Sequence, residues 1–338
     1  MNPQSDLLAS LIVLNWNGKE YLAQCLPSLL ALDYTNYEII LVDNGSTDDS
    51  VDYAISEFSG IRVIENRRNL GCAGGMNVGI AQSQGDIAVL LNNDVIVRRD
   101  WLSELVGAMT IDECIGVAGC KIFFADGDTL QHAGGLISHP LALANHYGYR
   151  QPDTGAYDVL TDVDYVTSAA MAIRRAALAE VGNLDDGFFP IYYDDVDICY
   201  RARTAGWRVV YVPTAVLTHL ESATMVRDSY RYFVSFHRSR LRFVLKHLSI
   251  EQFLREFVPA EVSWLAQVRS PRERQALSRA YKAALLMVPA IYTAREEPSQ
   301  SAFDSLQEVT ETLVDLQAEV WKRSSSSQSS GERGGRGL

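Results

Sequence analysis

Residues 90–97 read LLNNDVIV, an apolar strand that runs into Asn92, Asn93 and Asp94 and then returns to apolar residues. Asn and Asp close strands readily, because their side chains hydrogen-bond nearby backbone and tolerate unusual dihedrals, so one reading of this stretch is a turn. The other is a metal or phosphate site at the end of a buried strand. Which of the two holds depends on what else reaches the same edge.

Around that stretch, short β-branched or leucine-rich runs at 11–14 (LIVL), 38–42 (EIILV), 61–64 (IRVI) and 87–91 (IAVLL) alternate with helical segments such as KEYLAQCLPSLLAL. The alternation predicts an α/β fold with a mainly parallel central sheet and helices on both faces. IGVAGCKIFF (115–124) and WRVVYV (207–212) read as later strands, and RRAALAEVG and DVDICYRARTAG as helices that stop at a glycine. Residues 125–160, rich in Gly, His, Asp and Tyr, predict a hairpin and long loops. From 226 to about 322 the pattern is almost wholly helical, and RSSSSQSSGERGGRGL (323–338) has no means of packing. The expected organisation is a catalytic domain over 8–222, a helical region over 223–322 and a disordered tail over 323–338.

A chain of 338 residues, 47% of them hydrophobic, buries a sizeable core in one large domain or two smaller ones. Its net charge of -12 argues against nucleic acid as a partner, so an anionic ligand must be held locally. Five cysteines without a CxxC pair fit neither a disulfide framework nor a zinc site and point to a reducing, cytoplasmic compartment. The first residues carry no basic leader, and their apolar run is too short for a signal peptide or membrane span.

In an open parallel sheet, ligands bind beyond the carboxyl ends of the strands. EIILV ends in Asp43 and IAVLL in Asn92-Asn93-Asp94, so both carboxylates are expected on one rim. Between them NLGCAGGMNVGIAQS (69–83) is a glycine-rich entry to a helix, where backbone N–H groups can approach a phosphate. It matches neither the dinucleotide-binding glycine pattern nor a P-loop. Further on, Asp194 and Asp195 follow an aromatic segment and open a helix. Negative charge there suits a helix N-terminus, and it also suits proton abstraction from a hydroxyl. Asp197 is expected to pair with Arg201 at i,i+4. His219, after a late strand, would complete a mixed oxygen and nitrogen site with Asp94 if the two met.

Taken in order, LNWNG, VDNGSTD, NLGCAGGMNVG, LLNNDV, FFPIYYDDVD and the late histidine resemble glycosyltransferase family 2, with the GT-A fold, over roughly residues 8–222. DTLQHAGGLI (128–137) and RYFVSFHRSRLRFVLKHL (231–248) are similar to its bacterial rhamnosyltransferase-like members, which build cell-surface polysaccharide or lipid-linked glycan. The resemblance implies inverting transfer of a sugar, such as rhamnose, from a dTDP- or UDP-type donor with Mg2+ or Mn2+. The acceptor would be a hydroxyl of a glycan or a polyprenyl-diphosphate-linked glycan. It implies that Trp16 packs on the nucleobase, that Asp43 bonds its edge, and that Gly74, Gly75 and Asn77 line the phosphate side. Asn92 and Asp94 occupy the ends of the family's DxD motif, with Asn93 between them serving turn and ligand. Asp94 and His219 would hold the metal. Asp195 would be the catalytic carboxylate, with Asp194 in the preceding Glu position. Two departures stand out: Asn92 replaces the first acid of the motif, and Asp194 is one methylene shorter than the usual Glu.

Arg227, Arg231, Arg238, Arg242 and Lys246 fall on one side of a helix over 227–248, with Tyr232, Phe233, Phe236 and Phe243 on another. Two readings stand: an aromatic stripe packed inward beneath a solvated basic face, or peripheral contact with anionic lipid or the diphosphate of a lipid-linked acceptor at the inner face of the membrane. KAALLMVPAIYTARE (282–296) is too short, and too interrupted by Pro289, to span a bilayer. Two rivals remain for the whole chain. One is a catalytically inactive nucleotide-sugar-binding or scaffold protein on the same fold. The other is a sugar-nucleotide pyrophosphorylase, which would need a basic glycine-rich loop where LIVL is followed by NWNGKEY.

Overall fold

The computed structural model describes residues 7–220, 227–268, 270–295 and 300–329. In chain order these begin β1 (Ala9–Asn15), α1 (Lys19–Leu30), β2 (Tyr37–Asp43), α2 (Ser50–Glu57), β3 (Arg62–Glu65), α3 (Gly71–Gln82), β4 (Ile87–Asn92), β5 (Val95–Val97) and α4 (Trp101–Ile111). β6 (Ile115–Phe123), β7 (Leu130–His132), β8 (Gly135–Ser138), β9 (Leu143–His146), β10 (Thr161–Asp162), β11 (Ala170–Arg174), α5 (Arg175–Val181), α6 (Asp194–Thr204) and β12 (Arg208–His219) follow. The main sheet has the order β10-β12-β6-β11-β4-β1-β2-β3, with β5 on β12 and β7 on β6.

The strand parity explains why helices cover both faces. Leu11 and Val13 of β1 and Leu41 of β2 share a core with Leu22, Leu26 and Leu29 of α1 and with Leu102, Leu105 and Met109 of α4. Successive strand residues point to opposite faces, so Ile12 and Val42 meet α3 on the other side. α3 comes so close because Gly79 has no side chain: a Cβ there would stand 2.2 Å from Ile12 Cγ2.

Within the mainly parallel sheet, β11 runs antiparallel to both β4 and β6. Its sequence, AMAIR, carries few β-branched residues, yet it is buried at the middle of the sheet. The parallel pairings are β1 with β2 and β4, β2 with β3, and β6 with β12. The segment 125–160 holds β7 and the two-stranded sheet of β8 and β9. Lys121, buried in β6, anchors the loop that follows by ion pairs to Asp153 at 2.7 Å and to Asp158 at 2.5 Å.

The described residues group into two compact units, within Met1–Ile137 plus Ala144–Ser222 and within Ser138–Leu143 plus Ala223–Leu338. The second is helical, with α7 (Tyr230–His247), α8 (Ile250–Gln252), a π turn at Phe253–Phe257, α9 (Val258–Leu265), α10 (Pro271–Arg295) and α11 (Gln300–Ser329). Its interior holds an ion pair with no exposure on either side: Arg240 makes two bonds to Glu261, at 2.8 and 2.5 Å, and stacks over Trp264. Tyr281 donates to the same carboxylate at 2.5 Å, so the buried charges are compensated. The basic side of α7 is not uniformly solvated. Arg231 is exposed, whereas Arg238, Arg242 and Lys246 are half-buried, and burial together with the Arg242 charge pushes the Arg238 pKa down. α11 continues through Ser329, into the segment expected to lack packing; residues 330–338 of that tail lie outside the described residues. Among the described residues, no helix is long and apolar enough to cross a membrane.

Gly79→Ala is expected to destabilise the protein by about 1–3 kcal/mol, because the new methyl meets a packed strand. Gly107→Ala, a site in α4 with nothing within 4 Å of the added Cβ, should stabilise by about 0.5–1 kcal/mol. Urea unfolding midpoints of the two variants check the contrast.

Candidate active site

At the carboxyl ends of β1, β2 and β4, a run of side-chain hydrogen bonds crosses the rim. Asn93 Nδ2 donates to Asn15 Oδ1 at 2.6 Å, and Asn15 Nδ2 donates to Asp43 Oδ1 at 2.9 Å. Asp43 also accepts from the Ser46 hydroxyl and from the backbone N–H groups of Gly45 and Ser46. These four bonds fill the lone pairs of a buried carboxylate. Asp43 therefore closes the turn after β2, and a nucleobase edge would have to displace one of its donors. Asn93 serves the rim in the same way. Gly18 is required beside it, since a Cβ there would lie 2.0 Å from Asn93 Nδ2.

The turn after β1 is tied to the turn after β2. The Asn17 N–H donates to Ser46 Oγ at 2.8 Å, and Asn17 Oδ1 accepts from the Thr47 N–H at 2.7 Å. Between these anchors Trp16 stands out from the rim, 43% exposed, with its ring open to a planar ligand. Gly75 packs under Leu14 and Asn44, so its missing side chain serves helix packing. Asn77 exchanges two hydrogen bonds with the backbone of Leu184 and clamps that loop to α3. Gly74 and Asn77 also line an open cleft of about 430 Å³ with Arg68, Asp186 and Phe189.

Asp94 and His219 meet as expected. β5 and β12 pair antiparallel with His219 opposite Val95, which sets the histidine beside Asp94. His219 Nε2 lies 3.0 Å from Asp94 Oδ1, and its Nδ1 lies 2.7 Å from Gln131 Oε1. His219 also lines a cavity of about 570 Å³ with Phe124, Asp126, Thr129 and Arg150. The pair fits a small divalent ion: two ligands on neighbouring vertices of an octahedron with bonds of about 2.1 Å stand about 3.0 Å apart. Among the described residues no third His, Cys, Asp or Glu joins them, so a metal would take its remaining ligands from water and from a bound phosphate.

Asp194 and Asp195 open α6 after two consecutive residues in the left-handed region, Tyr192 (φ 77°) and Tyr193 (φ 66°). Such backbone is held only by its surroundings, and here it aims two acids at the rim. Asp195 keeps some surface and accepts from the N–H groups of Ser168 at 3.2 Å and Val196 at 2.8 Å. The neighbouring Ala169 carbonyl accepts the Asn92 N–H at 3.1 Å, so the end of β4 and Asp195 are joined through Ser168 and Ala169. Asp194 is 2% exposed, and among the described residues its Oδ2 has no hydrogen-bond partner. Burial, and then the Asp195 charge, push its pKa up to about 7. Burial raises Asp195 as well, against the hydrogen bonds that favour its charged form. Beside them Cys72 has its thiol pushed well up, by burial first and the Asp194 charge second. Asp197 makes the expected ion pair with Arg201, at 2.8 Å.

Asn15, Ser46, Ser168 and Gln131 also belong to this rim; the first two and Gln131 lie inside the stretches LNWNG, VDNGSTD and DTLQHAGGLI, but the motifs assign no role to them individually. The one signal available was position: Asn15 and Ser46 flank residues that do stand out, and Gln131 precedes a histidine in a loop-rich segment.

A model of Glycosyl transferase family 2 matches residues 10–182. The chain is 27% identical over 256 residues to the N-acetylglucosaminyl-diphospho-decaprenol L-rhamnosyltransferase of Mycobacterium tuberculosis, covering 69% of this chain and 82% of that protein. It is 29% identical to the O-antigen biosynthesis protein RfbC of Myxococcus xanthus, over 65% of this chain and 18% of that protein. It spans no more than 25% of the length of two of the relatives it matches. A crystal structure of GalNAc-T7 with UDP, GalNAc and Mn2+ superposes with a TM-score of 0.59 at 17% identity, over 78% of this chain and 52% of that one, which establishes a GT-A type of fold.

The buried acid pair carries a stability signature. Asp194 holds its proton more tightly folded, near pH 7, than the ordinary value of 3.8, so the native state binds more protons between these values. Stability from this group is present at low pH and is lost as pH rises from about 4 to about 7. Asp194→Asn should flatten that fall, measured as urea midpoints across the pH range.

Proposed function

The chain belongs to glycosyl transferase family 2, and we propose that it moves a sugar, with inversion, from a dTDP- or UDP-type donor to a hydroxyl of a glycan or polyprenyl-diphosphate-linked acceptor. The observation that carries this reading is the meeting of Asp94 and His219 at a strand-end rim that also presents the partly buried carboxylate Asp195. The name of the mycobacterial relative supports rhamnose as the sugar and a lipid-linked diphosphate as the acceptor.

Asp94 and His219 would hold Mg2+ or Mn2+, which when bound stabilises as a Lewis acid the charge on the departing diphosphate. Trp16 offers its exposed ring to the base, and Asn92 and Gly74 face the donor. The two adjacent carboxylates divide their work by environment. Asp194, more buried and with an unbonded oxygen, retains the proton the pair shares at neutral pH. Asp195, whose N–H donors favour the anion, accepts the proton of the attacking hydroxyl. Attack opposite the leaving group inverts the anomeric carbon in one displacement, without a covalent intermediate. Exposed Arg227 and Arg231 supply a basic contact to anionic headgroups at the membrane surface, where such an acceptor resides.

Asp195→Asn is expected to lower kcat by about 10²–10⁴ while leaving nucleotide binding intact. Asp94→Ala should abolish the Mn2+-dependent part of UDP or dTDP binding, measured by calorimetry. Wild-type protein that binds neither nucleotide with Mn2+ present would overturn the assignment.

A further inference from the structure

We propose that Gln131 is a positioning residue of the metal site, fixing the tautomer and ring orientation of His219 so that Nε2 presents its lone pair beside Asp94. This rests on the reading of Asp94 and His219 as the protein's metal ligands.

β7 pairs antiparallel with β6, but the register shifts between Ile122↔His132 and Phe123↔Leu130. Gln131 is the extra residue on the β7 side: two partners adjacent on β6 face residues separated by one on β7. A bulge of this kind bends its strand and re-aims the side chain at the irregularity, and such bulges concentrate beside active sites. Here the re-aimed side chain is an amide, 6% exposed, whose Oε1 stands 2.7 Å from His219 Nδ1.

The consequence follows from the donor and acceptor inventory of imidazole. A carbonyl oxygen only accepts, so Nδ1 must carry the hydrogen. In the neutral ring Nε2 is then a lone pair, and it faces a carboxylate oxygen at 3.0 Å. The 3.0 Å contact is bridged by a cation that both atoms hold, either a proton on Nε2 donated to the carboxylate or a divalent ion that takes its place. A ligating histidine that gives its other N–H to a fixed acceptor is the usual way in which a metal site sets the ring and raises its basicity. Gln131 supplies that acceptor from a separate strand, so the metal-ready arrangement exists before any ligand arrives.

The test uses full-length protein, MnCl2, and loss of the free aquo-Mn2+ EPR signal, with and without UDP. Gln131→Met keeps the side chain's length and apolar packing but removes the acceptor, and should weaken Mn2+ binding about 10–100-fold. Gln131→Glu retains an oxygen that only accepts, and should keep affinity at or above the wild-type value. Equal affinity in wild type and Gln131→Met would overturn the positioning role while leaving the metal reading in place. Equal loss in Gln131→Glu and Gln131→Met would overturn it too, because the acceptor alone would then not suffice. Absence of Mn2+ binding in the wild type, with UDP present, would remove the metal reading and this inference with it. Should Gln131→Met lower the folded fraction, Mn2+ affinity per folded molecule in Gln131→Leu takes its place: a loss relative to Gln131→Glu supports the positioning role, and equality with it overturns the role.

Discussion

The candidate site depends on one constraint: three strand ends, from β1, β2 and β4, must stop at the same level and stay there. Parallel strands cannot fix this by a shared turn, because each is followed by its own crossover. The amide of Asn15 solves the problem by bonding in both directions, to Asn93 on β4 and to Asp43 on β2. Neither neighbour is free to move along its strand without breaking a buried polar bond, which costs more than the bond contributes when made. Asp94 follows Asn93 directly, so the level at which it emerges is set by the same chain of bonds.

On the other side of the rim, positioning is done by backbone in place of side chains. Asn92 gives its N–H to Ala169, and the adjacent Ser168 N–H goes to Asp195. One short turn before β11 thus relays the position of the β4 end to the acid. That gives β11 its significance. By entering antiparallel between β4 and β6, it starts at the rim and delivers residues 167–169 to the place where a parallel strand would have delivered its far end.

Much of this was legible in the sequence, for definite reasons. The strands β1, β2, β4 and β6 are long apolar runs, and the rule that ligands bind beyond strand ends puts Asp94 at the rim from the sequence alone. His219 was legible only conditionally, since its meeting with Asp94 is set by the β5–β12 register and no local pattern encodes register across 125 residues. β11 was not legible, because AMAIR is an alanine-rich segment whose strand state comes from burial between two neighbours. Asp43, Gly75 and Asn77 also carry structural contacts that the motif alone does not reveal. Asp43 holds the turn after β2 through four donors from Asn15, Gly45 and Ser46, while the glycine and amide of α3 serve close packing and a loop clamp.

The charges of the site bear on why Asn92 is tolerable where the family motif has an acid. Under the proposed reading a chain of net charge -12 attracts a nucleoside diphosphate, and the rim already carries the carboxylates of Asp43, Asp94 and Asp195. Burial keeps Asp194 protonated up to about pH 7, which withdraws one negative charge, and an amide at position 92 withdraws another. Under the proposed reading a divalent ion on Asp94 and His219 would be held by one carboxylate and one imidazole, which would leave it positive charge to share with the diphosphate. Fewer protein anions weaken the hold on the metal alone and strengthen the mutual dependence of metal and nucleotide, so under the proposed reading the two bind as a pair.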